Sequence, residues 1–228
     1  SAHNKIISVS GSHGKTTTTG MIATIFLLAR KNPTIHIGGI LPQIKGNVLS
    51  GGKDYFITEA CEYCDSFLSL KSYYSIVLNV QKDHMDYFKN MANLQKSFEK
   101  FAKNTNKNGF LVINADDENC KKLKTEANII SYGIKNNAIV CAKQIKANNK
   151  QQFSYCLYVC GIKLAHIKLS VSGRHNIYNS LAAIAVAISE GIKIKYIKRA
   201  LKTYKTSERR FEQIKGNKAI VVHDYAHH

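Results

Sequence analysis

Between a short apolar run, Lys-Ile-Ile-Ser-Val (5–9), and a helical run starting at residue 15 lies Ser10-Gly11-Ser12-His13-Gly14-Lys15-Thr16-Thr17. A buried strand that passes through a glycine-punctuated turn into a helix restricts the chain to α/β architectures. Backbone N–H groups of such a loop, Ser12, His13 and Thr17 among them, point at a phosphate, and the helix N-terminus adds a favourable field. Gly11 and Gly14 permit close approach. Lys15 is placed to reach β- and γ-phosphates, and the Thr16 hydroxyl suits Mg²⁺. The longer spacing G-x-x-x-x-G-K-[ST] fails because position 9 is Val. The shorter G-x-x-G-K-T is less specific by itself, and a glycine turn capping a helix is the plain alternative.

The rest of the chain repeats the strand–helix alternation. Strands are expected at 5–9, 34–37, 54–60, 74–80, 109–113 and 128–132, and helices at 15–30, 90–104 and 116–126. A Gly-rich loop is expected from Gly38 to Gly52. Three short strands (137–142, 152–160, 163–170) follow, then an Ala-rich helix over 176–190 and a more basic one over 194–204. Two last strands, 211–215 and 218–224, flank Gly216-Asn217, a good hairpin turn. The expectation is a P-loop-type α/β fold: a mostly parallel sheet flanked by helices, with a small antiparallel subsheet.

In open α/β sheets, ligands sit beyond the carboxyl ends of the strands. Glu59 ends one expected strand, and Asp83-His84 follow the next. Both segments should reach the edge that carries the phosphate loop, where Glu59 from one and His84 or Asp83 from the other could hold one or two divalent ions. Read singly, Glu59 is a helix-start acid and His84 a turn residue. Glu62, Asp65 and Asp86 read equally well as solvated surface acids.

The 33 Lys plus Arg against 15 Asp plus Glu leave a formal charge of +18. That favours polyanions. Only five of the cations are Arg, whereas nucleic-acid readers lean on Arg for bidentate contacts. The charge is therefore read as a Lys-rich composition that favours anionic small substrates, with no nucleic-acid partner expected. Cys61-x-x-Cys64 and Cys156-x-x-x-Cys160 invite a zinc reading. Reduced, partly buried thiols in a cytoplasmic protein are preferred. The strongly apolar run Met21–Ala29 is too short for a bilayer span of about 20 residues, and residues 1–20 lack signal-peptide character.

Six segments in order resemble the ATP-dependent Mur ligase family: 11–19 (Gly-Ser-His-Gly-Lys-Thr-Thr-Thr-Thr), 59–63 (Glu-Ala-Cys-Glu-Tyr), 83–88 (Asp-His-Met-Asp-Tyr-Phe), 173–179 (Gly-Arg-His-Asn-Ile-Tyr-Asn), 209–212 (Arg-Arg-Phe-Glu) and 223–228 (His-Asp-Tyr-Ala-His-His). The family uses the shorter phosphate loop. The resemblance implies ATP and Mg²⁺ as cofactors, with Lys15 and Thr16 at the phosphates, Glu59 on one metal ion and His84 on a second. It places Asn176 and Asn179 at the adenine, which suits their i, i+3 spacing on one helix face. Arg210 resembles an arginine that approaches the transferred phosphate, Asp224 a residue near the ribose, and His227 one that positions an amino acid. More loosely, the 38–52 loop, with Gly39 and Asn47, resembles a part that meets a UDP-sugar.

The implied reaction joins L-alanine to UDP-N-acetylmuramate through an acyl phosphate. Residues 1–206 would be a central ATP-binding domain and 207–228 the start of a C-terminal domain. The expectation is a fragment, with N- and C-terminal ligase domains missing, that binds ATP weakly and does not ligate alone. The rivals are a recycling ligase acting on a preformed peptide, a folylpolyglutamate-synthetase-like ligase, and a non-catalytic nucleotide- or nucleic-acid-binding module.

Overall fold

The computed structural model describes residues 3–206, and the backbone of residues 212–215 and 220–223. Strand β1 (Lys5–Ser10) runs into the phosphate loop and helix α1 (Lys15–Leu28). The following strands are β2 (Thr34–Leu41), β3 (Gly46–Leu49), β4 (Tyr55–Glu59) and β5 (Tyr74–Val77). Helices α2 (Met85–Phe88) and α3 (Met91–Lys103) precede β6 (Phe110–Asn114) and β7 (Asn128–Gly133). Strands β8 (Val140–Ala147), β9 (Gln152–Val159) and β10 (Ile162–Ser172) lead to helices α4 (His175–Ser189) and α5 (Ile194–Thr203). Strands β11 (Glu212–Lys215) and β12 (Ile220–His223) pair antiparallel as a separate sheet. The expected turn at Gly216-Asn217 lies outside the described residues.

Ten strands form one sheet in the order β10-β9-β8-β7-β6-β5-β1-β4-β2-β3. From β2 to β8 all neighbours are parallel, and β3, β9 and β10 add antiparallel ends. Strand β1 lies between β4 and β5, with Val9 opposite both Glu59 and Ile76. After β1 the chain builds β2, β3 and β4 on one flank and then crosses to β5 on the other, so β1 borders the switch point where open α/β sheets bind ligands.

Both faces are covered, so the central strands are buried on both sides and mostly apolar, with Ser8, Ser10, Thr58 and Ser75 as small buried polar residues among them. Ile7 and Val9 of β1 and Ile76 of β5 join Ile22, Phe26, Leu181, Ile184 and Ile197 of α1, α4 and α5 in one core. Val77, Leu111 and Ile113 point to the other face, against Phe67, Leu94, Phe98 and Phe101. Helix α3 opens on an Asn90 cap, whose side chain accepts the Asn93 N–H.

At the amino ends of the strands the fold is fastened by Glu190, next after α4. Its carboxylate accepts Lys5 Nζ, Tyr55 Oη and Tyr74 Oη, each at 2.7 Å. Burial alone would raise the Glu190 pKa, but these three donors outweigh it and hold the group below the usual carboxylate range. Burial, reinforced by Glu190, pushes both tyrosine hydroxyls above their ordinary value.

Three expectations need correction. Residues 116–126 form no helix; only a 3₁₀ turn at Cys120–Lys122 appears. The Asp117 carboxylate caps the N–H groups of Asn119 and Cys120. Within 116–123 only Cys120 and Leu123 are buried side chains of any size, too few for a helical stripe. The Gly38–Gly52 segment is largely a hairpin of β2 and β3, with Ile35, Ile37 and Leu41 buried. Glycines at 38 and 39 hide that alternation in the sequence. The strand expected at 137–142 begins later and runs on through Lys143 and Lys146 to Ala147, because its outer face stays open. Between β9 and β10, Cys160 (φ +47°) and Gly161 (φ +78°) alone connect paired Val159 and Ile162.

Candidate nucleotide site

The loop after β1 is fixed by the segment after β5. Ser12 N–H donates to Asn79 O at 3.2 Å, and His13 N–H donates to Asn79 Oδ1 at 2.9 Å. Asn79 Nδ2 returns a bond to His13 O at 3.0 Å, and Ser12 Oγ lies 2.9 Å from Gln81 O. A Cβ on Gly11 would sit 3.0 Å from Leu78 Cβ, so only glycine fits against the neighbouring strand end. Gly14 caps α1 at φ +91°, and a Cβ there would meet Asn179 Oδ1 at 2.6 Å.

Thr16 Oγ1 donates to Glu59 Oε2 at 3.1 Å, and Gly38 N–H donates to Glu59 Oε1 at 2.6 Å. One carboxylate thus links the carboxyl end of β4 to α1 and to β2. Lys15 Nζ contacts Gly11 O at 2.7 Å and Ser12 O at 3.4 Å. It also pairs with both oxygens of Glu62, at 3.2 and 3.0 Å. Glu62 has no exposed surface.

His84 stands at φ +51° as the cap of α2, with its ring 5.0 Å from that of Tyr63. Its backbone N–H donates to Asp83 Oδ1 at 2.8 Å. Potential ligand atoms of Glu62, Asp83 and His84 all lie within 4.8 Å of one another. Among the described residues this is the one cluster of three or more such donors.

On α4, buried Asn176 and Asn179 bond to each other at 2.9 Å, and Asn176 Nδ2 donates to Ser172 O at 2.7 Å. Both asparagines therefore sit on one face at the helix start, with Asn179 against Gly14. Tyr178, between them, donates to Asp116 at 3.0 Å. Asp116 also accepts the N–H groups of Ile134, Lys135 and Asn136. Burial would raise its pKa, but these bonds outweigh that and hold it below the usual range. Burial first, then Asp116, pushes the Tyr178 hydroxyl up to about 12.

The structure thus gathers Gly11, Ser12, His13, Gly14, Lys15, Thr16, Thr17, Glu59, Asn176 and Asn179 at one edge, with His84 beside them through Glu62. Gly39 lies in β2, and Asn47 is exposed on β3. Arg210, Asp224 and His227 lie outside the described residues. Sequence reasoning offered Asp83 beside His84 and left Glu62 open as a surface acid; it did not single out Gly38 or Asn79. The Glu-x-x-Glu spacing from Glu59 to Glu62 was the available signal.

The Mur ligase middle domain model matches residues 9–187. The chain belongs to the Mur ligase family. It is 46% identical over 230 aligned positions to UDP-N-acetylmuramate–L-alanine ligase of Clostridium acetobutylicum, covering 99% of this chain and 50% of that protein. The chain spans about half the length of the curated relatives it matches. The crystal structure of UDP-N-acetylmuramate–alanine ligase MurC from Thermotoga maritima superposes with a TM-score of 0.86 at 28% identity, covering all of this chain and 52% of that one. MurF ligase from Thermotoga maritima, solved in complex with ADP, shares the fold at a TM-score of 0.77 and 18% identity, covering 97% of this chain and 53% of its own. No described helix is long and apolar enough to cross a membrane.

The six cysteines are free. Cys61 and Cys64 are both exposed, and neither joins the one donor cluster. Cys156 is buried in β9, and Cys160 stands in the turn beyond it rather than on the same strand.

Proposed function

We propose that this chain is the ATP-binding part of a ligase that joins L-alanine to UDP-N-acetylmuramate. The observation that carries the reading is the phosphate loop at the β1 switch point, with the Thr16–Glu59 contact beside it, in a chain of the Mur ligase family. The name of the Clostridium acetobutylicum relative supports the choice of alanine and UDP-sugar. Residues 1–206 would serve as the central domain and 207–228 as the start of the next.

The residues present fit both ligands. The glycine cradle leaves room where a Cβ would clash, and the donors near it are hard oxygens and one imidazole, suited to Mg²⁺. Thr16 and Glu59 would hold one ion, and His84 a second. When bound, Mg²⁺ supplies positive charge at the phosphate oxygens.

In the reaction, the lactyl carboxylate attacks the γ-phosphorus and displaces ADP, forming an acyl phosphate. The alanine amine then attacks the acyl carbon and phosphate leaves. A carboxylate approaching a triphosphate meets strong repulsion. Lys15 would offset that charge, as would Arg210. The loop N–H groups orient the phosphates, and Asn176 and Asn179 would hold the adenine beside the start of α1. The acyl phosphate needs shielding from water. ATP as substrate and six unpaired cysteines support a cytoplasmic setting.

Calorimetric titration tests the reading. ATP with Mg²⁺ should bind, and Lys15→Ala should weaken binding by roughly 10- to 100-fold, the equivalent of losing charge-assisted hydrogen bonds. Unchanged affinity in Lys15→Ala, with salt-dependent DNA binding in its place, would overturn it.

A further inference from the structure

Two demands fall on one ammonium group. Lys15 Nζ is surrounded by four acceptors, Gly11 O, Ser12 O and both Glu62 oxygens, and has only three protons to give. In the nucleotide reading it must also serve phosphate. If it turns to phosphate, Glu62 is left as a carboxylate with no exposed surface. An enclosed carboxylate keeps its charge only with a cation against it.

The surroundings offer a replacement. Asp83 and His84 bring donor atoms within 4.8 Å of Glu62, and they are 18% and 34% exposed at the side chain. An incoming ion can therefore reach the cluster from solvent past Asp83 and His84.

We propose that Glu62 is an exchangeable counter-ion. It holds Lys15 in the empty site, and passes to a divalent cation, shared with Asp83 and His84, when nucleotide draws Lys15 away. Glu62 is thus a positioning residue that couples the two ligands. The inference rests on the nucleotide reading above, and adds to it a residue and a direction of coupling. Because linkage is reciprocal, nucleotide tightens cation binding at this cluster by the factor by which the cation tightens nucleotide.

Manganese binding, read by electron paramagnetic resonance on the unaltered protein, gives the first test. Without nucleotide, no tight Mn²⁺ is expected; with a non-hydrolysable ATP analogue, two per chain. Tight Mn²⁺ in the nucleotide-free protein, or a single ion with the analogue, overturns the exchange. The second test is Glu62→Gln. In excess chelator it should bind the metal-free analogue about tenfold more tightly than the unaltered protein, a factor usual for coupled sites. It should also lose the added affinity that free Mg²⁺ gives beyond one equivalent. A purely structural role for Glu62 would weaken binding under both conditions.

If the unaltered protein binds no analogue under any condition, the nucleotide reading falls and the exchange with it. If it binds, and Glu62→Gln binds the metal-free analogue no tighter, the exchange alone is overturned. Should the variant fail to fold, the manganese count decides.

Discussion

Removing the Glu190 carboxylate tests how the sheet is held at the end away from the candidate site. In Glu190→Ala three donors lose their acceptor. The Lys5 ammonium is 34% exposed at the side chain and can be hydrated, so its loss is small, about 0–1 kcal/mol. The two tyrosines matter more. A hydrogen bond to a charged acceptor contributes roughly 1.5–3 kcal/mol. Tyr74 is fully buried and Tyr55 nearly so, which leaves both hydroxyls without water. The expected loss is about 3–5 kcal/mol, because neighbouring terms do not add fully. At roughly 2–4 °C per kcal/mol for a chain of this size, Tm should fall by about 10 °C.

Urea unfolding followed by circular dichroism measures the loss directly, and its pH dependence gives a second, independent reading. Glu190 has its folded pKa depressed. Its contribution is present above the unfolded value of about 4.3 and is lost as pH falls through the lower folded value. The two tyrosines have theirs raised, so their contribution is present below about 10 and is lost as pH rises further. The variant should show a flatter stability profile in both windows. Nucleotide affinity should stay unchanged at temperatures where the variant is folded. A loss below about 1 kcal/mol, or an unaltered acid limb, would refute the reasoning.

Gly14→Ala should destabilise the fold by about 2 kcal/mol, since φ +91° is strained for any residue with a Cβ and that Cβ would meet Asn179. Denaturant melts give the stability, and titration should show a larger loss of ATP affinity than that figure alone implies. A thiol reagent should label Cys61, Cys64 and Cys160 quickly, and Cys120 and Cys156 only as fast as the protein opens. Burial, with Asp117 next, also pushes the Cys120 thiol well above its ordinary pKa. Five fast thiols by mass spectrometry would contradict the fold.

The parallel core was readable because its strands are short apolar runs between glycine-rich turns, and because one loop declared its own flanking elements. Glu59 was readable from its position at the end of β4, and His84 from the loop that leads from β5 into α2. Glu62 was not. A glutamate three residues past a strand end looks like surface until Lys15 is seen to turn back on it, a contact across 47 positions of sequence. The 116–126 segment misled for the opposite reason. Asp117 caps a short turn within the segment and Asp116 caps another loop, so the backbone gave up the helix. Strand β3 was hidden because glycines carry no polarity to alternate.

Strand β1 has a kinetic consequence. Its partners begin at Tyr55 and Tyr74, whereas β8, β9 and β10 join through short turns. Closing the β1 pairings takes the larger loop entropy, so hairpins can form while the middle of the sheet is still open. The phosphate loop has no shape until that central strand is inserted, since its walls come from β4 and β5. A nucleotide then rewards only the finished sheet, by mass action on the native state alone. Protection of β1 amides from hydrogen exchange should therefore rise with nucleotide concentration more than protection of the β9–β10 hairpin.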